Sequence, residues 1–207
     1  IENSQHDSCM HSGYAKHINI AHNRIYYARI YSWMLLFVAA HHHAAATEII
    51  ENKGQWPSHV IGAVFLPKSA VFIEMGGHTI HLQEAVDHSV KNTRGHIIKT
   101  HIDNAKALPA FHWVNKKKPV FHYHQKTATF SCNSFGELII ENILPNIDQH
   151  WLIDGNTVKY EWHIKPGGDP ALIRIRFAGE ESLNVVNTSL EISTSLGEIR
   201  EQPPLSW

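Results

Sequence analysis

The run Ile147-Asp148-Gln149-His150-Trp151-Leu152-Ile153-Asp154-Gly155-Asn156-Thr157-Val158-Lys159-Tyr160-Glu161-Trp162-His163-Ile164 has the pattern of two strands joined by a tight reversal. Asp154-Gly155-Asn156 supplies residues that tolerate positive φ between two β-rich arms. In the second arm Val158, Tyr160, Trp162 and Ile164 fall on one side, while Lys159, Glu161 and His163 fall on the other. That period of two is the mark of a half-buried antiparallel strand, with Glu161 expected on the solvent face.

The same pattern extends in both directions. Downstream, Lys165-Pro166-Gly167-Gly168-Asp169-Pro170 fixes two φ angles, frees two others and lets Asp169 cap a turn. Ile173, Ile175 and Phe177 then alternate with Arg174 and Arg176, and short runs near Leu183–Val186 and Leu190–Ser193 recur at about ten-residue spacing. Upstream, Ala70–Met75 meets His78–Leu82 across Gly76-Gly77, a hairpin signal, and Gly95–Ile102 predicts a more central strand. Between Asn104 and Thr127 the alternation blurs, and Lys116-Lys117-Lys118-Pro119 predicts a solvated loop. Leu82–Val90 is the one stretch suited to a short helical turn. The fold class expected is all-β, mainly antiparallel and sandwich-like.

At 207 residues with 43% hydrophobic content the chain has material for one core. A formal net charge of −1 offers no basic face for nucleic acid, so none is expected as a partner. Histidine is over-represented at 18 residues, which makes the chain potentially responsive to mild acid. Only Cys9 and Cys132 occur, too few for a disulfide framework, and Cys132 has the setting of a small buried side chain.

Residues 1–46 have the order of upstream residues followed by a secretory signal. Lys16, Arg24 and Arg29 precede the apolar run Ile30–Ala40, and Ala44-Ala45-Ala46 closes it with small residues. Cleavage after Ala46 would leave a mature domain of residues 47–207, secreted or surface-bound, without a membrane span. A buried apolar helix is the competing reading of this run, but it lacks a polar face.

Glu51-Asn52-Lys53-Gly54-Gln55-Trp56, Pro145-Asn146-Ile147-Asp148, Val158–Trp162, Lys165–Pro170, Ile173–Gly179 and Thr194–Ile199 with Glu201 and Pro203 occur in one order along Glu48–Ser206. Together they resemble the β-rich domain of unknown function that stands ahead of SBBP-type beta-propeller repeats in large secreted bacterial proteins. The resemblance implies a mostly β fold, a secreted or cell-surface location, further domains downstream, and neither catalysis nor a cofactor. It implies as partners those downstream repeats or a cell-surface component. Asn146 stands where the family usually has Gly, and Phe111–Phe130 departs from the family's pattern.

Beside that architectural or adhesive role, the residues bear on three chemistries. Metal binding has its best candidates in His122 and His124, which share one face of an extended strand, with His112, His150, His163, Asp148 and Asp154 as further donors. Hydrolysis lacks a Gly-x-Ser-x-Gly elbow or a His-Glu-x-x-His helix, and the chain is not expected to be an enzyme. Binding of a glycan or peptide through exposed aromatics has Trp113, Trp151 and Trp207 as candidates, whereas Trp162 is in phase with the core.

Overall fold

A computed structural model describes residues 48–84, 94–125, 128–155, 157–203 and 205, together with the backbone of three short upstream strands. The upstream strands are β1 (Ile20–Ala21), β2 (Ile25–Tyr26) and β3 (Met34–Phe37). The signal reading of residues 1–46 otherwise lies outside the described residues, as do most of the Leu82–Val90 turn and Trp207. The remaining strands are β4 (Ile49–Glu51), β5 (Val60–Leu66), β6 (Ser69–Glu74), β7 (Gly77–Gln83), β8 (Gly95–Ile102), β9 (Ala110–His124) and β10 (Thr129–Leu144). They continue through β11 (Ile147–Asp154), β12 (Thr157–Ile164), β13 (Ile175–Ala178), β14 (Ser182–Val186), β15 (Ser189–Thr194) and β16 (Gly197–Glu201).

All described pairings are antiparallel, and one curled sheet runs in the order β13-β8-β7-β6-β5-β4-β10-β11-β12-β3-β16-β15-β14. The fold is therefore all-β. Strand β10 joins the two halves: Ser134 and Phe135 pair with β4, and Glu137–Leu144 pair with β11. Gly136 sits between those two pairings. The halves then face each other, so that His78 of β7 meets the rings of Trp151 (5.1 Å) and Tyr160 (5.8 Å) on β11 and β12. Ile73, Ile80, Ile98, Leu138, Ile140, Ile147, Val158 and Ile192 fill the interior between them.

Local chemistry sets the turns. Asn146 takes φ 57° between the paired Leu144 and Ile147, so Asn does serve where positive φ is needed. Gly155 takes φ 58° in the reversal between β11 and β12. Asp169 Oδ1 accepts from the Ala171 amide at 2.8 Å and caps the 3-10 turn Pro170–Leu172. Gly77 opens β7 where an added Cβ would strike the Thr100 carbonyl, so only glycine lets β7 and β8 approach there.

Three sequence expectations are corrected. The lysine run is not a loop: β9 passes straight through it, with Lys116 opposite Phe135 and Val120 opposite Asn133. Lys117, Lys118 and Pro119 bulge against Ser134, whose hydroxyl donates to the Pro119 carbonyl at 2.8 Å. Pro is tolerated there because β9 pairs only with β10 among the described residues, and its other edge needs no amide. Gly95–Ile102 does form an internal strand, β8 between β7 and β13, but it covers the core with one face only: Ile98 is buried and Ile97 exposed. Glu161 and Lys159 are both buried rather than solvated. Lys159 Nζ reaches Asp154 at 2.9 Å and Glu161 at 3.9 Å, which compensates their charge.

Two titratable groups in the core carry opposite pH consequences. Burial pulls the His78 imidazole down to about 3 and pushes the Glu201 carboxyl up to about 8. The stability that neutral His78 contributes is present above pH 6.5 and lost as pH falls toward 3; that of protonated Glu201 is present below pH 4.5 and lost as pH rises toward 8. Between pH 4.5 and 6.5 the two slopes cancel, so these groups predict a flat stability there and a fall on either side of about 1.4 kcal/mol per pH unit. Thermal midpoints across pH 3–8 check this: Glu201→Gln should remove the alkaline fall and His78→Gln the acid one. A second expectation concerns Trp151, which is fully buried. Trp151→Ala should cost about 3–5 kcal/mol in urea denaturation, whereas Phe65→Ala on the surface should cost less than about 1.5 kcal/mol.

Candidate functional site: an aromatic face beside a stapled loop

The loop Glu51–Pro57 between β4 and β5 is held by its own side chains. Asn52 Nδ2 donates to the carbonyls of Trp56 (3.2 Å), Pro57 (3.0 Å) and Val60 (2.8 Å), while its Oδ1 accepts from the amides of Gly54 (2.9 Å) and Trp56 (3.2 Å). Gln55 Nε2 donates to the Glu51 carbonyl at 2.7 Å, and the Gln55 carbonyl accepts from Gln125 Nε2 at 3.0 Å, tying the loop to the end of β9. Glu51 Oε1 accepts from both the amide (2.8 Å) and Nδ2 (2.6 Å) of Asn133 on β10. The Glu-Asn-Lys-Gly-Gln-Trp phrase thus fixes one backbone shape, and that shape aims Trp56.

Trp56 lies half-buried against three rings: Phe65 of β5 (6.0 Å between centroids), Phe72 of β6 (5.7 Å, edge-on) and Tyr123 of β9 (5.5 Å, edge-on). Phe72 also meets His81 of β7 at 4.8 Å. Phe65 is 45% exposed, and Ile97, paired with His81 across β7 and β8, is 54% exposed. The result is an apolar and aromatic surface crossing five strands, β5 to β9, on the side opposite the core, of a kind that packs on sugar rings or on another protein.

The residues singled out from sequence fare differently. Trp113 is half-buried on β9, stacked on Phe135 at 4.9 Å and touched edge-on by exposed Phe111, with its ring over Gly62. Trp151 is 1% exposed; it shares the inward phase of Ile147 and Gln149, so it presents no surface to a ligand. His122 and His124 are exposed on one face of β9, as their spacing required. Each Nδ1 is at 3.1 Å from a cross-strand hydroxyl, of Ser131 and Thr129 respectively. Among the described residues, no group of three His, Cys, Asp or Glu converges in a way that could hold a metal ion.

His150 and His163, named from sequence only as auxiliary donors, are brought together across β11 and β12. Their rings stack in parallel with centroids 3.7 Å apart, His150 against Glu137 and His163 against Glu161, each at 3.1 Å. Burial first, and the neighbouring His163 second, lower the His150 imidazole below its ordinary value. Asp148 is engaged elsewhere, accepting from the Asn142 amide and from Lys165, both at 2.7 Å. The contact surface around Phe65 and Phe72 escaped sequence reading because neither residue stands in a distinctive motif. Their joint outward phase on adjacent strands was the available signal.

Among the described residues, no helix is long and apolar enough to cross a membrane, a statement that leaves β-barrels aside. Neither the curated proteins nor the solved structures contain a match. One family does match, a domain of unknown function, DUF7948, over residues 49–207, which takes in every strand from β4 to β16. The chain belongs to that family of domains of unknown function.

Proposed function

We propose that this domain is a non-catalytic contact module of an exported polypeptide, adhesive or architectural in role, and that it engages its partner through the Trp56–Phe65–Phe72–Tyr123 face. The observation carrying this reading is that the aromatic group lies on the outer face of a sheet and is aimed by a hydrogen-bonded loop, so little freedom is lost on contact. The strongly shifted groups His78 and Glu201 both lie in the core, away from any surface on which substrate could react, which favours contact over catalysis. The order of charged, apolar and small residues up to Ala46 supports export with removal of residues 1–46. The phrases shared with domains ahead of SBBP-type repeats support a place at the front of a larger surface protein, packed against its repeats or a cell-surface component.

A second reading is favoured by the mix of rings: Trp56 beside Tyr123, with the imidazole of His81 nearby, is suited to stacking on a saccharide. The two readings share one surface and separate by ligand. Immobilised exported protein should retain its binding target, and Phe65→Ala or Tyr123→Ala should weaken retention about tenfold with thermal midpoint little changed. A glycan array positive for wild type and blank for Trp56→Ala selects the saccharide; a blank array with retained adhesion to cell-surface protein selects the protein partner. Export itself is checked by N-terminal sequencing of the secreted product, which should begin at Thr47.

A further inference from the structure

Strand β3 lies between β12 and β16 and is antiparallel to both. Leu36 pairs with Val158 on one side and Glu201 on the other, Leu35 with Lys159, Met34 with Tyr160 and Phe37 with Arg200. β12 and β16 therefore run parallel to each other, two strand spacings or about 10 Å apart, too far for backbone hydrogen bonds between them. The DUF7948 match, over residues 49–207, takes in both walls of this slot and not β3.

The slot also holds an unmet chemical demand. Glu201 is 0% exposed and both its carboxylate oxygens lack a hydrogen-bond partner. It shares its rung with the buried Val158, and the buried Tyr160 is close enough to feel its charge. An unpaired buried carboxylate costs several kcal/mol if ionised, and a strand suited to the site would bring it a donor. Met34-Leu35-Leu36-Phe37 has no polar side chain to offer.

We propose that the slot between β12 and β16 is a strand-acceptor site for an extended segment of another polypeptide, apolar at alternate positions and carrying Lys or Arg at the rung of Val158 and Glu201. Main-chain hydrogen bonds to both walls supply affinity, and the inward side chains, read against Val158, Tyr160, Ile199 and Glu201, supply selectivity. The site becomes available when residues 1–46 are removed, so the inference rests on the export reading above.

The test uses the full chain expressed with export, the N-terminus of the exported product being sequenced first. The product is titrated with peptides about nine residues long that alternate Val and Thr, with Lys, Val or Glu at the central inward position. Fluorescence anisotropy should show the Lys peptide binding at least about tenfold more tightly than the Val peptide, and the Glu peptide at least about tenfold more weakly. Glu201→Gln, whose folding is verified by its thermal midpoint, should abolish these differences. Amide exchange on β12 and β16 should slow when the Lys peptide is added. A product beginning at Thr47 that binds none of the peptides overturns the acceptor site and leaves the export reading standing. A product beginning upstream of Met34 overturns both, since the chain then fills its own slot. Equal binding of all three peptides overturns the role given to Glu201.

Discussion

Strand β10 is the constraint on which the rest depends. It is long enough to be shared, pairing with β4 through Ser134 and Phe135 and with β11 through Glu137–Leu144. Because both halves of the sheet hang from this one strand, their apolar faces have each other as the nearest surface to bury against. Gly136, at the join, has no side chain to resist the approach of Asn115 and Lys117 from β9. The interior of isoleucine, leucine and valine follows from that closure, and so does the separation of an outer face on which Phe65 and Phe72 remain in contact with solvent.

The core so formed is unusually polar around Tyr160. His78, Trp151 and Glu201 surround it, and His78 Nε2, Trp151 Nε1 and both Glu201 oxygens have no hydrogen-bond partner. Burial of such groups works against stability unless their charge is suppressed, which is why the imidazole stays neutral far into acid and the carboxyl stays protonated near neutrality. His78 is partly compensated, its Nδ1 lying 2.9 Å from the Thr100 hydroxyl. Glu201 has no such relief, which sets the β16 side of the slot apart from the rest of the interior.

Much of the fold was legible from alternation alone. Val158, Tyr160 and Trp162 point inward, the reversals at Asn146, Gly155 and Asp169 lie where the residue types put them, and Cys132 is buried. Alternation failed where its premise of one wet face failed. Glu161 and Lys159 are outward in phase yet buried, since Lys159 pairs with both Asp154 and Glu161 and so makes burial of the two tolerable. The Lys116–Pro119 run misled because a lysine- and proline-rich edge strand has the composition of a loop. The aromatic face was illegible for a different reason: it is assembled from a loop and five separate strands, and of the candidates chosen by residue type alone Trp151 is buried in the core while Trp113 lies half-buried against Phe135.

The bulged edge of β9 has a bearing on stoichiometry. Lys117, Lys118 and Pro119 leave that edge charged and without a continuous row of amides, while the strands at the ends of the sheet path, β13 and β14, span only four and five residues. Copies of this domain thus have poor templates for adding to one another edge to edge, and growth into open-ended fibres is disfavoured. If the slot between β12 and β16 takes a strand as proposed, assembly through it closes at one guest per host, with no open edge left from which a chain of copies could grow.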